Sequence, residues 1–237
     1  MGITDLRAEE PTSPTRAVHE LADGLAFWDS RRGWGKDLGN AGYEAWAKEN
    51  PHGAFTLDWW KPFLARLNRW KATRGWDDGI VLTSRFIACT AELATAWTEA
   101  CEPFLENDIT SVTWEQVSAF PTLVATIKPT RSHSPVFASK FCHFLLPRVF
   151  PVVDNEALGN RWSTYEKYFR RVQDEWAATE PDDRTALTTM LTERIEATGA
   201  SVFPGYPFVN KVVELRLIGR HHPGTNSQTA SSPRRDG

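Results

Sequence analysis

Between residues 16 and 222 the apolar side chains recur every third or fourth position, a rhythm that fits helices and little else. Val18, Leu21, Leu25 and Trp28 set it from Arg16 to Trp28. From Leu57 to Arg74 one side carries Trp60, Phe63, Leu64, Leu67 and Trp70. Lys61, Arg66, Arg69, Lys71 and Arg74 cover much of the rest. A short helix is expected from Tyr43 to Lys48, behind a Gly-rich connection from Gly33 to Gly42. Asp78 to Leu105 reads as one long helix ending near Pro103. Thr113 and Gln116 have the spacing of a capping box for a helix that Pro121 kinks. Pro135 to Leu146 forms an apolar helix, and a short one is expected to start at Asp154 or Asn155. Ser163 to Ala178 follows, then Pro181 to Thr198, opened by a proline and closed by Gly199. The final helix spans about Pro207 to Ile218. Alternating runs of strand length are scarce, so the expected fold is all-α, with one domain over residues 16–222. Residues 1–15 and 223–237 are rich in Pro, Ser, Thr and Gly and are expected to be disordered.

Charge and cysteine usage narrow the function classes. The formal net charge is −3, so no global field advertises a polyanionic partner, and any nucleic-acid contact must be local. Three scattered cysteines, Cys89, Cys101 and Cys142, fit reduced thiols in a cytoplasmic protein better than a disulfide framework. Cys142–His143 and His221–His222 are adjacent pairs without metal-ligand spacing, so no metal is expected. No run approaches the roughly 18 apolar residues of a membrane span, and the first residues lack the apolar segment of a secretory signal. A cytoplasmic monomer without cofactor is the expectation. Seven of the eleven tryptophans (Trp28, Trp34, Trp46, Trp59, Trp60, Trp70 and Trp76) fall in the first third, as an aromatic core or as a surface on which bases stack.

The charge is unevenly spread. From Gln116 to Val153 there is no Asp or Glu, where the chain's average frequency would place about five. The same window holds Lys128, Arg131, Lys140 and Arg148, with His133 and His143. Buried core accounts for the acid-free run Phe141 to Leu146 but not for the polar loop KPTRSHSP at 128–135. That loop joins two helices. It offers Lys128, Arg131, the hydroxyls of Ser132 and Ser134, His133, and the free N–H groups of a helix start, a natural seat for phosphate.

Directly behind the apolar segment Phe150-Pro151-Val152-Val153 stands Asp154. One reading makes it an N-cap, worth about 1 kcal/mol. The other makes it a carboxylate held at a dry wall for chemistry. The two are compatible in geometry.

The order helix, hairpin, apolar helix, Pro-containing apolar segment, Asp resembles the helix-hairpin-helix DNA glycosylase superfamily, over about residues 114–160. The resemblance implies two all-α lobes with a cleft between them, a hairpin lobe at 114–160 and a second lobe from 16–113 and 161–222. It implies a DNA glycosylase, with Asp154 catalytic, that hydrolyses the N-glycosidic bond of a damaged or modified base flipped out of double-stranded DNA and leaves an abasic site. Lys128, Arg131, Ser132, His133, Ser134, Lys140 and Arg148 would contact DNA. Phe27, Trp28, Trp162, Tyr165, Tyr206 and Phe208 are the pocket candidates. The family's Gly-x-Gly turn is absent from KPTRSHSP, and Asn155-Glu156-Ala157 follows the Asp. The nucleophilic lysine of strand-cleaving members would fall near Pro135, Val136 or Phe137. Lys140 lies a turn further on, so the resemblance implies a monofunctional enzyme. No iron–sulfur ligand loop is present.

The chemistry fits the position. Base departure builds positive charge on the sugar, which a fixed carboxylate stabilises while orienting the attacking water. Two other classes compete: a non-catalytic helix-hairpin-helix DNA-binding module, and a helical protein-interaction domain. Retained DNA binding with lost base release in Asp154→Asn separates the enzyme from the module. A steep salt dependence of DNA affinity separates both from the interaction domain. No motif names the base. Base excision in DNA repair and antiviral defence against modified phage pyrimidines are both expectations from divergence.

Overall fold

A computed structural model describes residues 14–31, 38, 55–70, 72–73, 79–129, 134–159 and 162–224. It is all-α: the described residues form ten α-helices and no strand. They are α1 (Arg16–Ser30), α2 (Leu57–Arg69), α3 (Gly79–Ala88), α4 (Thr90–Ala100), α5 (Trp114–Val117), α6 (Ala119–Ile127), α7 (Val136–Leu145), α8 (Tyr165–Ala177), α9 (Pro181–Glu196) and α10 (Phe208–His221). The helix expected at Tyr43–Lys48 lies outside the described residues, as do Trp34, Trp46 and Trp76.

Local chemistry sets the boundaries. The Thr15 hydroxyl accepts the Val18 N–H at the start of α1, and Thr164 does the same for Lys167 at the start of α8. Gln116 reaches back to the Thr113 N–H at 2.7 Å, as the capping-box spacing requires. α9 begins with Pro181 in its first turn, and Gly199 follows it at φ +80°.

Two expectations are corrected. The long helix expected from Asp78 to Leu105 is broken at Cys89, where the Thr90 hydroxyl donates to the Phe86 carbonyl and accepts the Trp60 indole N–H at 3.1 Å. The helix after Thr113 breaks at Ser118 rather than bending at Pro121, so the proline sits in the first turn of α6, where its missing N–H leaves no bond unmade.

One continuous core runs through these helices. Its aromatic centre joins α2, α3, α6 and α7: Trp60, Phe63, Phe86, Phe120 and Phe141 are fully buried, with Phe86 stacked on Phe141 at 5.2 Å. Trp28, Trp59, Trp60 and Trp97 are likewise buried, which favours the core reading for these tryptophans.

The first and last helices approach most closely. A Cβ added at Gly24 would lie 1.9 Å from the Leu215 carbonyl oxygen, and one at Gly219 would lie 1.9 Å from that of Glu20. Hydrogen alone fits at either place. Around this junction Arg220 bonds to Glu20 and Glu175, and Arg216 bonds to Glu20 and Thr179. Each buried charge therefore has a partner.

Candidate active site

α7 is buried on almost every side, and the chain leaves it into the extended segment Phe150–Val153, also buried. With no neighbouring strand, its backbone groups must find side-chain partners. They do. Ser139 accepts the Val153 N–H at 3.0 Å, and Tyr165 donates to the Pro151 carbonyl at 2.8 Å. His143 Nδ1 meets the Phe150 carbonyl at 2.6 Å. Burial and the nearby Lys211 charge push the His143 pKa down to about 3, so the ring is neutral and Nδ1–H is the donor.

These three anchors end at Asp154. Its Oδ1 accepts the N–H groups of Glu156 at 3.1 Å and Ala157 at 3.3 Å. The short helix expected there is a turn, residues 155–158, closed by Leu158 N–H to the Asp154 carbonyl at 2.9 Å. Oδ2 lies 3.9 Å from Nζ of Lys140, with the carboxyl side chain 25% exposed and that of the lysine 8%. Lys140 also donates to the Trp70 carbonyl at 3.1 Å. The DNA-contact lysine of the sequence reading is thus a buried neighbour of the candidate carboxylate. Its place on α7, one turn beyond the position named for the lysine, turns it inward.

The C-terminal ends of α1 and α10 hold the turn from outside. Arg31 pairs with Glu156 at 3.3 Å, and His222 Nε2 meets the Ala157 carbonyl at 3.1 Å. Gly159, at φ +59°, leaves the space in which the His221 ring sits, 1.9 Å from where its Cβ would be.

Behind Asp154 lies a second pair that the sequence reading missed. Lys211 and Glu214 are buried and bonded at 2.6 Å, with Lys211 Nζ 4.6 Å from the centre of the Trp28 ring. Burial pushes the Glu214 pKa up. Lys211 opposes this, the Asp154 charge adds to it and Lys140 opposes it. The phenol of Tyr168 is fully buried with no hydrogen-bond partner among the described residues, and burial, then Glu214, then Asp154 push its pKa well up. Trp162 stands edge-on to Tyr168 at 5.1 Å, its indole N–H likewise without a partner among the described residues. Lys211 and Glu214 were legible as charges three apart inside the apolar run VNKVVEL.

The other predicted residues scatter. Lys128 is 2% exposed, its ammonium 4.5 Å from the centre of the Phe137 ring, and burial pulls its pKa down to about 8. The lysine named for a DNA contact is thus buried against α7. Arg131, Ser132 and His133 lie outside the described residues. Ser134 bonds to the Val136 N–H and to Asn155, both at 3.4 Å. Tyr165 belongs to the wall under Pro151, and Phe27 stacks on His222 at 3.9 Å. Tyr206 and Phe208 join Arg148 around a separate cavity of about 470 Å³.

Among the described residues no helix is long and apolar enough to cross a membrane, and no group of three or more His, Cys, Asp or Glu residues is placed to hold a metal ion. Comparison of the chain with protein-family models, with curated proteins and with solved structures finds no match.

Proposed function

We propose that the chain is a DNA glycosylase of the helix-hairpin-helix kind, a monomer that acts on double-stranded DNA, with Asp154 as its catalytic carboxylate. One observation carries the reading: Asp154 is only a quarter exposed, fixed through Oδ1, and directed through Oδ2 at a buried cation. An N-cap needs the first contact alone. It has no use for Lys140, whose buried ammonium stands 3.9 Å from Oδ2. A carboxylate so held stabilises the positive charge that builds on a sugar as its base leaves, and orients water for attack. The pair α6–α7 would be the hairpin of this reading.

The test is base release. Purified protein is incubated with duplex DNA carrying damaged bases and with phage genomes of differing pyrimidine chemistry, and abasic sites are counted. Wild type should produce them on at least one substrate, and Asp154→Asn about 10²–10³-fold more slowly. Equal counts for both proteins on every DNA would remove the enzyme reading.

A second reading rests on the same 3.9 Å contact. The Lys140 amine, once deprotonated, would attack the sugar carbon itself, the base leaving with the bonding electron pair. The sugar ring then opens to an imine, which borohydride reduces to a stable protein–DNA adduct that the monofunctional reading forbids. Lys140→Met abolishes that adduct if the second reading holds.

A further inference from the structure

The cavity between the end of α7 and the start of α10 takes no part in the reading above. Its walls include Phe203, Tyr206 and Phe208, with Arg148 and Asp108 at the same opening. At about 470 Å³ it falls in the range of small-ligand sites. The aromatic wall is a folded corner: the Phe203 and Tyr206 centroids are 5.7 Å apart, and those of Tyr206 and Phe208 4.8 Å. Tyr206 is locked by its hydroxyl, which donates to the Leu38 carbonyl at 2.7 Å. Phe203 and Phe208 remain half-buried, with ring surface left toward the cavity.

Arg148 supplies the charge. Its carbonyl is clamped by the Ile109 N–H at 3.0 Å and by Nδ2 of Asn210 at 3.1 Å, and the same Asn210 amide donates to the Pro147 carbonyl at 2.7 Å. The backbone is fixed, yet the half-exposed guanidinium makes no hydrogen bond or ion pair with the described residues. Asp108 does not neutralise it by contact. Its Oδ1 is taken by the Thr110 N–H at 2.8 Å and the Thr110 hydroxyl at 2.6 Å. A planar five-donor cation anchored beside exposed ring faces recognises an anion joined to a flat ring.

We propose that this cavity binds a nucleoside 5′-phosphate, its base against Phe203 and Phe208 and its phosphate on Arg148. The ligand is either a free nucleotide or one unit of a single strand. The proposal stands apart from the role of Asp154.

Titration calorimetry with deoxyadenosine 5′-monophosphate, a five-nucleotide oligodeoxyadenylate and inorganic phosphate tests it. Either or both nucleotides should bind wild type, the tighter one naming the source, and inorganic phosphate at least tenfold more weakly. Arg148→Met and Phe208→Ala should each weaken nucleotide binding at least tenfold, while Asp154→Asn leaves it unchanged. Arg148→Met loses no internal side-chain bond, so it keeps the test valid if Phe208→Ala unfolds. Binding of neither nucleotide at millimolar concentration, retention of full affinity in Arg148→Met, or phosphate binding as tightly as nucleotide would each overturn the proposal.

Discussion

Oδ2 of Asp154 stands 3.9 Å from Nζ of Lys140, while Oδ1 of the same carboxylate takes two backbone N–H groups. Asp154→Asn removes the charge and keeps an oxygen for the turn. Base release should fall by about 10²–10³-fold, the scale of losing one transition-state contact. DNA affinity should stay close to wild type, while the melting temperature should fall because the buried Lys140 loses its counter-charge. Single-turnover assays, fluorescence anisotropy and a melting curve read the three quantities.

Gly159 holds the turn that follows. Alanine there meets both a positive φ, costing roughly 1–3 kcal/mol, and the His221 ring, 1.9 Å from its Cβ. Gly159→Ala should lower the melting temperature. Adding His221→Ala should restore part of the loss, because it removes the collision and leaves the backbone strain.

At the α1–α10 junction, Gly219→Ala sets a methyl group 1.9 Å from the Glu20 carbonyl oxygen, which is backbone and cannot turn aside. The helices must separate, at a cost of at least about 1–3 kcal/mol. A melting temperature within 1 °C of wild type would contradict the close approach.

Acid should destabilise the protein through His143. The unfolded imidazole takes a proton near its ordinary value of 6.5, whereas the folded one resists until about 3. The unfolded state binds more protons within that window, so stability falls with pH, by about 1.4 kcal/mol per pH unit for this group. Glu175 adds to the loss, since its bond to Arg220 holds its carboxyl below the usual range. Urea midpoints between pH 7 and 4 should fall steadily, with a shallower slope in His143→Phe.

The helices were legible in the sequence because their causes are local: the Thr113–Gln116 spacing, Pro181 in a first turn and Gly199 beyond a last one all kept their roles. Asp154 was legible as an oddity behind an apolar run, and the structure gives its surroundings. Those surroundings were not legible. Lys128 and Lys140 look like solvent-facing cations until α7 packs against the ends of α6 and α2, when Phe137 and the Trp70 carbonyl claim their ammonium groups. Lys211, Glu214 and His222 come from the far end of the chain, and periodicity carries no information about which distant helix lies beside which. The short helix expected after Asp154 became a turn because contacts from Arg31 and His222, both remote in sequence, fix it instead.

Glu20 and Arg216, bonded across the α1–α10 seam, are separated by 196 positions. A ribosome releasing this chain exposes α1, where Arg16 can already pair with Glu20, long before Arg216 and Arg220 of α10 exist. Lys211 and Glu214 arrive on that same helix, so the surroundings of Asp154 are completed by the act that closes the fold. A half-made chain therefore carries Asp154 without the buried Lys211–Glu214 pair that lies behind it in the finished fold.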